Sequence, residues 1–486
     1  MEPTPLRDLL LGLAHHSTGG TEPLEVTGIC TDTRKLKPGD LFVALRGEKS
    51  DGHEYVRQAL DGGAVAAVVC RQYCTTNDIK LVVVEDTMRA LGEMARNYRR
   101  KFHIPVVAIT GSVGKTSVRE MTAGVLRTCY KTLSSQKNFN NEIGVPLTLF
   151  ELGMEHEVAL IEMGMRGLGE IDRLAEIAEP TIALITNIGH SHIERLGSRD
   201  LIAQAKAELL ERLPANGIAI LPRHDPYFDY LMGRVPAGCS VIAYSDSPEH
   251  NPDVWIELSE DGLEAVIDGK KIELVLDPPA AHTARNAAAA LSAGLALNIP
   301  GEVARNGLVG LKPVEGRLRT LSGSNSMTVI DDCYNAAPES MAAALDVLAK
   351  SAAMSSLKSS AGSDGKMTRR PAVRRVAVLG DMRELGDYAR ELHWAVGRQV
   401  IDTRVDVLVT VGELAAEIAN EAQRYALDTG RPCPLHSHFT DSSDAVKGIE
   451  SIVAPLDLVL VKGSRAMAME TIVAALTGDR GAGTHG

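Results

Sequence analysis

A glycine-rich segment at residues 110–117, TGSVGKTS, has the residue types that hold the phosphates of a nucleoside triphosphate. It follows the apolar segment IPVVAIT and precedes a helical pattern that starts at Lys115. Loop amides and a helix N-terminus can face phosphate oxygens, a lysine adds positive charge, and the Thr116 hydroxyl can bind Mg²⁺. The residues that we expect to contact the nucleotide are Thr110, Gly111, Ser112, Val113, Gly114, Lys115, Thr116 and Ser117.

The segment departs at one position from the usual phosphate-loop pattern, G-x-x-x-x-G-K-[ST]. The first glycine would fall at position 109, where the chain has Ile109, and Gly111 follows two residues later. A glycine-rich turn with an exposed lysine is the structural alternative. The order of strand, loop and helix is the one that phosphate binding requires, so we favour a phosphate-binding loop.

Charged and imidazole side chains follow two further predicted strands. Ligands of open α/β sheets bind at the carboxyl ends of the strands. Glu162, at the end of VALIEMG, is therefore a candidate Mg²⁺ ligand, with a solvated carboxylate as the alternative. His190 and His192 follow TIALITNIG, and two histidines beside a phosphate site make at least one of them a metal or phosphate candidate.

Two other polar features are ambiguous on residue type alone. Lys206 lies in a helical segment, AQAKAEL, where a lysine is usually a solvated charge. The segment NFNNEIGVPLTL contains Asn138 and Asn141, whose amides suit contacts with a ligand. A turn closed by those asparagines is equally compatible with the residues.

The 486-residue length predicts several domains, at about 100–200 residues each. Strand and helix patterns alternate along the chain, which predicts an α/β fold with parallel sheets covered by helices. We expect a small α/β domain at 1–102, a central phosphate-loop ATPase domain at 103–314 and a C-terminal Rossmann-like domain at 315–486. The Ser-, Gly- and Lys-rich segment 350–375 predicts a surface insertion.

Charge and hydropathy disfavour several classes of protein. The chain has 51 Lys and Arg against 63 Asp and Glu, a net charge of −12, which disfavours non-specific binding to nucleic acid or to anionic membranes. It has neither a signal-peptide pattern nor about 18 consecutive apolar residues. Its seven scattered cysteines favour reduced thiols. We expect a cytoplasmic monomer with no nucleic-acid partner and no membrane span.

Considered together, these motifs resemble the Mur ligase family of peptidoglycan synthesis. The resemblance runs nearly end to end, and TGxxGKTS is this family's own form of the loop. The segments concerned are TDTRKLKPGDLFVALRGEKSDGH, TGSVGKTS, NFNNEIGVPLTL, IEMG, TNIGHSHIERLGS, AKAEL, HTARNAAAA, EGRL, DDCYNAAPESM, VLGDMRELG and VKGSRAM. DDCYNAAP and VLGDMRELG favour the member that adds D-alanyl-D-alanine, because the DYAHTP- and DNPR-type segments of the third-residue-adding member are absent.

The resemblance implies an ATP- and Mg²⁺-dependent ligase that joins D-alanyl-D-alanine to UDP-N-acetylmuramoyl-tripeptide through an acyl phosphate. The implied catalytic residues are Lys115, His192 and Lys206, and Lys206 matches a lysine that family members carry as a carbamate. The implied metal ligands are Thr116, Glu162, His192 and Lys206. The implied nucleotide contacts outside the loop are Asn286, Arg317, Asp332, Tyr334 and Asn335. The implied substrate contacts are Thr33, Arg34, Arg46, Gly47, Asn138, Asn141, Lys462 and Arg465, the first four for the UDP part.

Two alternatives stay open at this point. One is another Mur-type ligase, either third-residue-adding or folylpolyglutamate-like. The other is a regulatory phosphate-loop NTPase that binds its nucleotide without ligating, although Glu162, His192 and Lys206 argue against it. Diaminopimelate and lysine are both open as the third residue of the peptide.

Overall fold

The computed structural model describes residues 1–17, 24–47, 50–73, 80–136, 138–249, 251–259, 262–276, 281–311, 314–358 and 373–478. Within these ranges the strands form three large sheets flanked by helices and one sheet of two short strands. The predicted α/β class is confirmed. No helix in the described part of the chain is long and apolar enough to cross a membrane.

The N-terminal sheet has the order β2-β7-β6-β5-β4, in which only β2 is antiparallel to its neighbour. Its inner strands are almost entirely apolar, apart from the buried Asp40 that begins β5, because both faces are buried. The strands of this sheet are β2 His15–Ser17, β4 Gly28–Cys30, β5 Asp40–Val43, β6 Ala66–Cys70 and β7 Leu81–Val84. Strands β1 Thr4–Pro5 and β3 Glu25–Val26 form the separate sheet of two short strands. The helices are α1 Leu6–Leu9, α2 Val56–Asp61 and α3 Thr87–Arg99.

The central sheet has nine strands in the order β16-β15-β14-β13-β12-β11-β8-β10-β9. Its strands are parallel from β9 to β14, and an antiparallel extension, β15 and β16, follows at the far edge. The strands are β8 Val106–Thr110, β9 Thr132–Ser134, β10 Val158–Glu162, β11 Ile182–Ile185, β12 Ile218–Pro222, β13 Ser240–Ser245, β14 Val254–Ser259, β15 Gly262–Ile267 and β16 Lys270–Leu274. The helices are α4 Lys115–Arg127, α5 Gly144–Leu149, α6 Glu170–Ala178, α7 Ile193–Leu196, α8 Arg199–Glu211, α9 Phe228–Met232, α10 Ala281–Ala296 and α11 Gly301–Ala304.

Strand β8 lies between β10 and β11, and this position decides where the polar motifs meet. Ile109 pairs in register with Glu162 on one side and with Leu184 on the other. The loops that follow β8, β10 and β11 therefore leave the sheet at the same edge. Ile109 is itself fully buried in the sheet, so the place of the usual first glycine is a core strand position in this chain.

The C-terminal sheet has the order β17-β18-β22-β19-β20-β21, in which only β17 is antiparallel. The strands are β17 Arg319–Ser322, β18 Thr328–Asp332, β19 Arg375–Gly380, β20 Val407–Val411, β21 Leu435–Phe439 and β22 Leu458–Lys462. The helices are α12 Pro338–Lys358, α13 Ala389–Asp402, α14 Ala415–Thr429, α15 Ser442–Gly448 and α16 Glu470–Thr477. Helix α12 runs through 350–358, the first part of the predicted insertion, and 359–372 lie outside the described residues.

Helix α3 connects the N-terminal sheet to the central domain. It begins at the Asp86 side chain, which accepts hydrogen bonds from two amides of the first turn. At its other end the buried Arg99 guanidinium donates to the carbonyl oxygens of Ala178 at 2.9 Å, Phe102 at 2.7 Å and Ile104 at 3.2 Å. One side chain thus satisfies three carbonyl groups where α3 meets α6 and the start of β8.

We expect Arg99→Leu to lower the free energy of unfolding by about 2–3 kcal/mol, because it leaves buried carbonyl groups without a donor. Thermal unfolding followed by circular dichroism measures the change. Arg100→Leu is the matched control, because the half-exposed Arg100 side chain bonds a carboxylate, that of Glu179. Its loss should lower the free energy of unfolding by under about 1 kcal/mol. Equal losses from the two variants would contradict this account of Arg99.

Candidate active site

A cavity of about 490 Å³ opens at the carboxyl ends of β8, β10 and β11. The central domain forms one side of it and the C-terminal domain the other. Predicted site residues in its lining are Ser112, Val113, Gly114, Lys115, Thr116, Asn138, Asn141, Glu162, His192, Arg317, Tyr334 and Asn335. The structure therefore brings together motifs that are as far apart in the sequence as Ser112 and Asn335.

A second cavity, of about 560 Å³, adjoins the first and shares part of the phosphate loop with it. Ser117, Asn286, Asp332 and Lys462 line it, together with residues that the sequence analysis did not select, such as His224. Most of the residues predicted to contact the nucleotide thus line one or both of two adjoining cavities, whereas Thr110 and Gly111 line neither.

The backbone of the loop explains its glycines. Gly111 has φ of +151°, and a Cβ built there would lie 1.8 Å from Thr186 Oγ1. Gly114 has φ of +84° immediately before helix α4. Both positions require glycine, since a side chain would meet a neighbour or a strained backbone. Gly111 is thus required by the close approach of Thr186 after β11, and Gly114 by its left-handed backbone conformation.

Two polar residues at the end of β11 hold the loop in place. Thr186 Oγ1 donates to the Val113 carbonyl at 2.7 Å, and Asn187 Nδ2 donates to the same oxygen at 2.9 Å. Asn187 Oδ1 accepts from the Val113 amide at 3.0 Å. Sequence reasoning missed both residues, although they are the first polar positions after a buried strand, which is the signal that could have identified them.

Lys115 is a cation held by neutral groups. Its Nζ donates to the carbonyl oxygens of Gly111 at 2.7 Å and Ser112 at 3.5 Å. Burial lowers the pKa of Lys115, while the nearby Glu162 carboxylate opposes that shift. No carboxylate forms an ion pair with Lys115 in the described part of the chain, so its charge is available to a phosphate.

Glu162 ends β10 with its side chain buried, and the residue is 1% exposed. Its carboxylate accepts from Arg119 Nη1 at 3.1 Å, Asn140 Nδ2 at 2.8 Å and Thr116 Oγ1 at 3.5 Å. The two oxygen ligands predicted for Mg²⁺, Thr116 and Glu162, are therefore adjacent. Arg119 and Asn140 were missed by sequence reasoning. Arg119 lies one helical turn after Lys115, a spacing that could have indicated it.

The two histidines of the loop after β11 both contact the C-terminal domain. His190 Nδ1 lies 2.6 Å from Glu339 Oε1, which also accepts from the His190 amide at 3.0 Å. His192 Nδ1 lies 2.6 Å from Glu384 Oε2. Sequence reasoning did not select either glutamate, because only the tertiary fold brings them to this loop.

Lys206 is buried, although its residue type and helical neighbours alone predicted a solvated charge. It is 1% exposed in helix α8, and no ion pair joins it to a carboxylate in the described part of the chain. Burial shifts the pKa of Lys206 well below its usual value, and the positive charge of Lys115 adds to the shift. A neutral buried amine fits the carbamate that the resemblance implies.

The donor set fits Mg²⁺ that is held jointly with phosphate. Among the described residues, no three His, Cys, Asp or Glu side chains converge as a metal site made of protein alone. Mg²⁺ commonly takes one or two protein oxygens and completes its shell with phosphate and water. Thr116 and Glu162 can supply those oxygens, and His192 lines the same cavity.

Three residues of the C-terminal domain form a stack beside the first cavity. The Arg317 guanidinium carbon lies 4.2 Å from the centre of the Tyr334 ring, and that of Arg465 lies 5.9 Å from it. A guanidinium over an aromatic face keeps its charge available to an anion. Arg317 and Tyr334 line the cavity.

Lys462 and Asp332 form a buried ion pair, with Nζ 2.6 Å from Oδ2. The Lys462 Nζ also donates to the Asn335 carbonyl at 2.9 Å. Both members of the pair line the second cavity and not the first. Lys462, predicted as a substrate contact, is thus paired with a residue that was predicted to contact the nucleotide.

The asparagine-rich segment NFNNEIGVPLTL was open to two interpretations, a ligand contact and a turn closed by its own asparagines, and the structure supports both. Asn141 Oδ1 accepts from the amides of Ile143 at 3.2 Å and Gly144 at 2.8 Å, which orders the start of α5. Asn138 and Asn141 both line the first cavity. One asparagine therefore has a local structural bond and also faces the candidate site.

The four residues predicted to contact the UDP part are Thr33, Arg34, Arg46 and Gly47, and none of them lines either central cavity. They belong to the N-terminal domain. Arg34 pairs with Asp32 at 2.8 Å, and Arg46 donates to the Tyr73 hydroxyl at 2.5 Å and contacts Asp51 at 3.3 Å. Their role stays a prediction.

Comparison with known proteins agrees with this arrangement. Three family models match the chain: Mur ligase family, catalytic domain, over 25–99; Mur ligase middle domain, over 109–294; and Mur ligase, glutamate ligase domain, over 316–465. The UDP-N-acetylmuramoyl-tripeptide–D-alanyl-D-alanine ligase of Synechocystis sp. is 36% identical over 94% of both chains. The Bacillus subtilis enzyme of the same name is 35% identical over 93% of both.

Solved structures are similar along the whole chain. A MurF crystal structure from Acinetobacter baumannii has a TM-score of 0.84 at 30% identity and covers 99% of this chain and 100% of its own. MurF ligase from Thermotoga maritima, in complex with ADP, has a TM-score of 0.77 at 25% identity, and the match covers 93% of this chain and 97% of that one. With these matches and the site described above, the chain belongs to the Mur ligase family.

Proposed function

We propose that this protein is an ATP- and Mg²⁺-dependent ligase of peptidoglycan precursor synthesis. It joins D-alanyl-D-alanine to the peptide of UDP-N-acetylmuramoyl-tripeptide and releases ADP and phosphate. The observation that supports this most directly is the 36% identity, over nearly the whole of both chains, to a ligase named for that reaction. The cavity that gathers Lys115, Glu162 and His192 supports it independently.

The chemistry requires activation, because a free carboxylate has no leaving group that an amine can displace. In the proposed reaction a terminal carboxylate oxygen of the tripeptide attacks the γ-phosphorus of ATP, the bond to the β-phosphate breaks, and ADP leaves. The amine of D-alanyl-D-alanine then attacks the acyl carbon. Phosphate leaves with its bridging oxygen, the amine loses a proton, and an amide remains. Charge stabilisation and positioning are the main demands on the protein.

We assign these demands to residues around the first cavity. The loop amides and Lys115 bind the phosphates, and Arg317 faces them from the C-terminal domain. Thr116, Glu162, His192 and a carbamate on Lys206 are the proposed Mg²⁺ ligands. When bound there, Mg²⁺ offsets the repulsion between the carboxylate and the triphosphate. We assign adenosine to the second cavity, beside Asn286 and Asp332.

We also propose the domain limits 1–102, 103–314 and 315–486, with the UDP part of the substrate bound by the first domain. One large sheet in each of these spans supports the limits. We propose a monomer, since one chain supplies the phosphate loop, Glu162, His192 and Arg317 that line the cavity. A cytoplasmic location agrees with the free thiols of the six described cysteines.

A phosphate-release assay tests the proposed function. We expect release only when ATP, UDP-N-acetylmuramoyl-tripeptide and D-alanyl-D-alanine are all present, with Mg²⁺. Assays with lysine and with diaminopimelate as the third residue determine which peptide is used. Faster turnover with a single amino acid would favour another Mur-type ligase, and release that needs no UDP-linked peptide would favour a regulatory NTPase.

Lys206→Ala should lower ligase turnover by at least about 100-fold, because a metal ligand is lost. Short carboxylic acids such as acetate should restore part of the activity, because they can occupy the space of the missing carbamate. Phosphate release measured over a range of acetate concentrations tests this. Lys447→Ala, a change at an exposed lysine on α15, should keep wild-type turnover with no response to acetate. Full activity of Lys206→Ala would exclude the carbamate.

A further inference from the structure

Glu384 is held in an unusual backbone conformation after β19. Its φ is +63°, in the left-handed region that non-glycine residues rarely adopt. The preceding part of this loop is anchored in the C-terminal domain, because Asp381 Oδ1 accepts from the Ala415 amide at 2.8 Å. The Ser464 amide donates to the Asp381 carbonyl at 3.0 Å. The fold of this domain therefore fixes the position from which the Glu384 side chain extends.

The same loop lies against the central domain. The Glu384 carbonyl accepts from the Glu194 amide at 3.2 Å, and the Tyr388 hydroxyl donates to the Gly197 carbonyl at 3.2 Å. Between these contacts, Glu384 Oε2 lies 2.6 Å from Nδ1 of His192. The carboxylate thus meets one particular nitrogen of a histidine that lines the first cavity.

Occupation of Nδ1 determines what the other nitrogen of His192 can do. The contact is an ion-pair distance without hydrogen-bond geometry, and the negative charge of Glu384 at 2.6 Å favours a proton on Nδ1, which leaves Nε2 with a lone pair. Histidines that bind metals commonly have a carboxylate or carbonyl at their second nitrogen, which fixes the tautomer and the ring orientation. Thr116 and Glu162, which can bind a cation through oxygen, line the same cavity as His192.

We propose that Glu384 is a positioning residue that orients His192 to bind a divalent cation, so that the C-terminal domain completes a metal site in the central domain. The proposal rests on the proposed function, which requires a cation at this cavity. In this arrangement the affinity for the cation depends on whether the C-terminal domain is docked on the central domain.

A neighbouring contact, in this case a hydrogen bond, supports this arrangement. His190, two residues earlier, has its Nδ1 2.6 Å from Glu339 at the start of α12. The loop after β11 is therefore fixed by two glutamates of the C-terminal domain. Undocking of that domain would release both histidine rings together, and His192 would lose its fixed orientation.

Binding of Mn²⁺, measured by electron paramagnetic resonance, tests the proposal without turnover. The enzyme is saturated with the non-hydrolysable ATP analogue AMP-PNP and with UDP-tripeptide, and Mn²⁺ is titrated. His192→Ala identifies the ion that depends on this histidine. Glu384→Leu should weaken binding of that ion by about 10- to 100-fold, and Glu384→Gln, which keeps an acceptor oxygen, should weaken it less. Glu391→Leu, at an exposed glutamate on α13, should leave the affinity unchanged.

The double variant His192→Ala/Glu384→Leu separates positioning from a general loss of structure. If Glu384 acts through His192, the double variant binds Mn²⁺ as His192→Ala does, with no further loss. Additive losses, or wild-type affinity in Glu384→Leu, would overturn the proposal. Mn²⁺ binding that does not change in His192→Ala would also overturn it, and the phosphate-release assay would still test the ligase function separately.

Discussion

Lys115 holds a positive charge at one edge of the central sheet with no carboxylate in ion-pair contact in the described part of the chain, and the rest of the site is arranged around that imbalance of charge. Burial is the main cause that lowers the pKa of Lys115 and of Lys206, and the charge of Lys115 adds to the shift at Lys206. A protein of net charge −12 can therefore still attract two anionic substrates. Local charge at the cavity, and not the total, decides which ligands bind.

The sheet supplies the geometry that this imbalance requires. Strand β8 lies between β10 and β11, so the phosphate loop, Glu162 and the histidine loop leave the sheet side by side. Thr186 and Asn187 tie the first of these loops to the last. The Glu162 carboxylate forms its ion pair with a buried arginine, Arg119, at 3.1 Å and not with Lys115.

The C-terminal domain contributes residues of the site that do not belong to the central sheet or its loops. Arg317 and Tyr334 of this domain line the same cavity as the phosphate loop. The contacts of Glu339 and Glu384 with the two histidines link this domain directly to the loop after β11. Catalysis that excludes water and binds two substrates commonly uses such closure of one domain on another.

Much of the fold and of the candidate site could be predicted from the sequence, because the strongest signals are local. A buried strand, a glycine loop and a helix predict a phosphate site whatever surrounds them, and Glu162 follows from the strand-end rule. Lys206 shows the limit of such reasoning, since its helical neighbours indicated solvent and only the family resemblance indicated a buried role. Glu339 and Glu384 could not be predicted, because no spacing in the sequence encodes which domain faces the histidines.

The central claim is that ATP activates the terminal carboxylate of the tripeptide by phosphoryl transfer. Turnover of UDP-tripeptide labelled with ¹⁸O in that carboxylate tests the claim most directly, with the released phosphate analysed by mass spectrometry. The account predicts that each phosphate contains one ¹⁸O atom, because the oxygen that attacks the γ-phosphorus leaves with it. Phosphate free of ¹⁸O, released together with the amide product, would contradict the account.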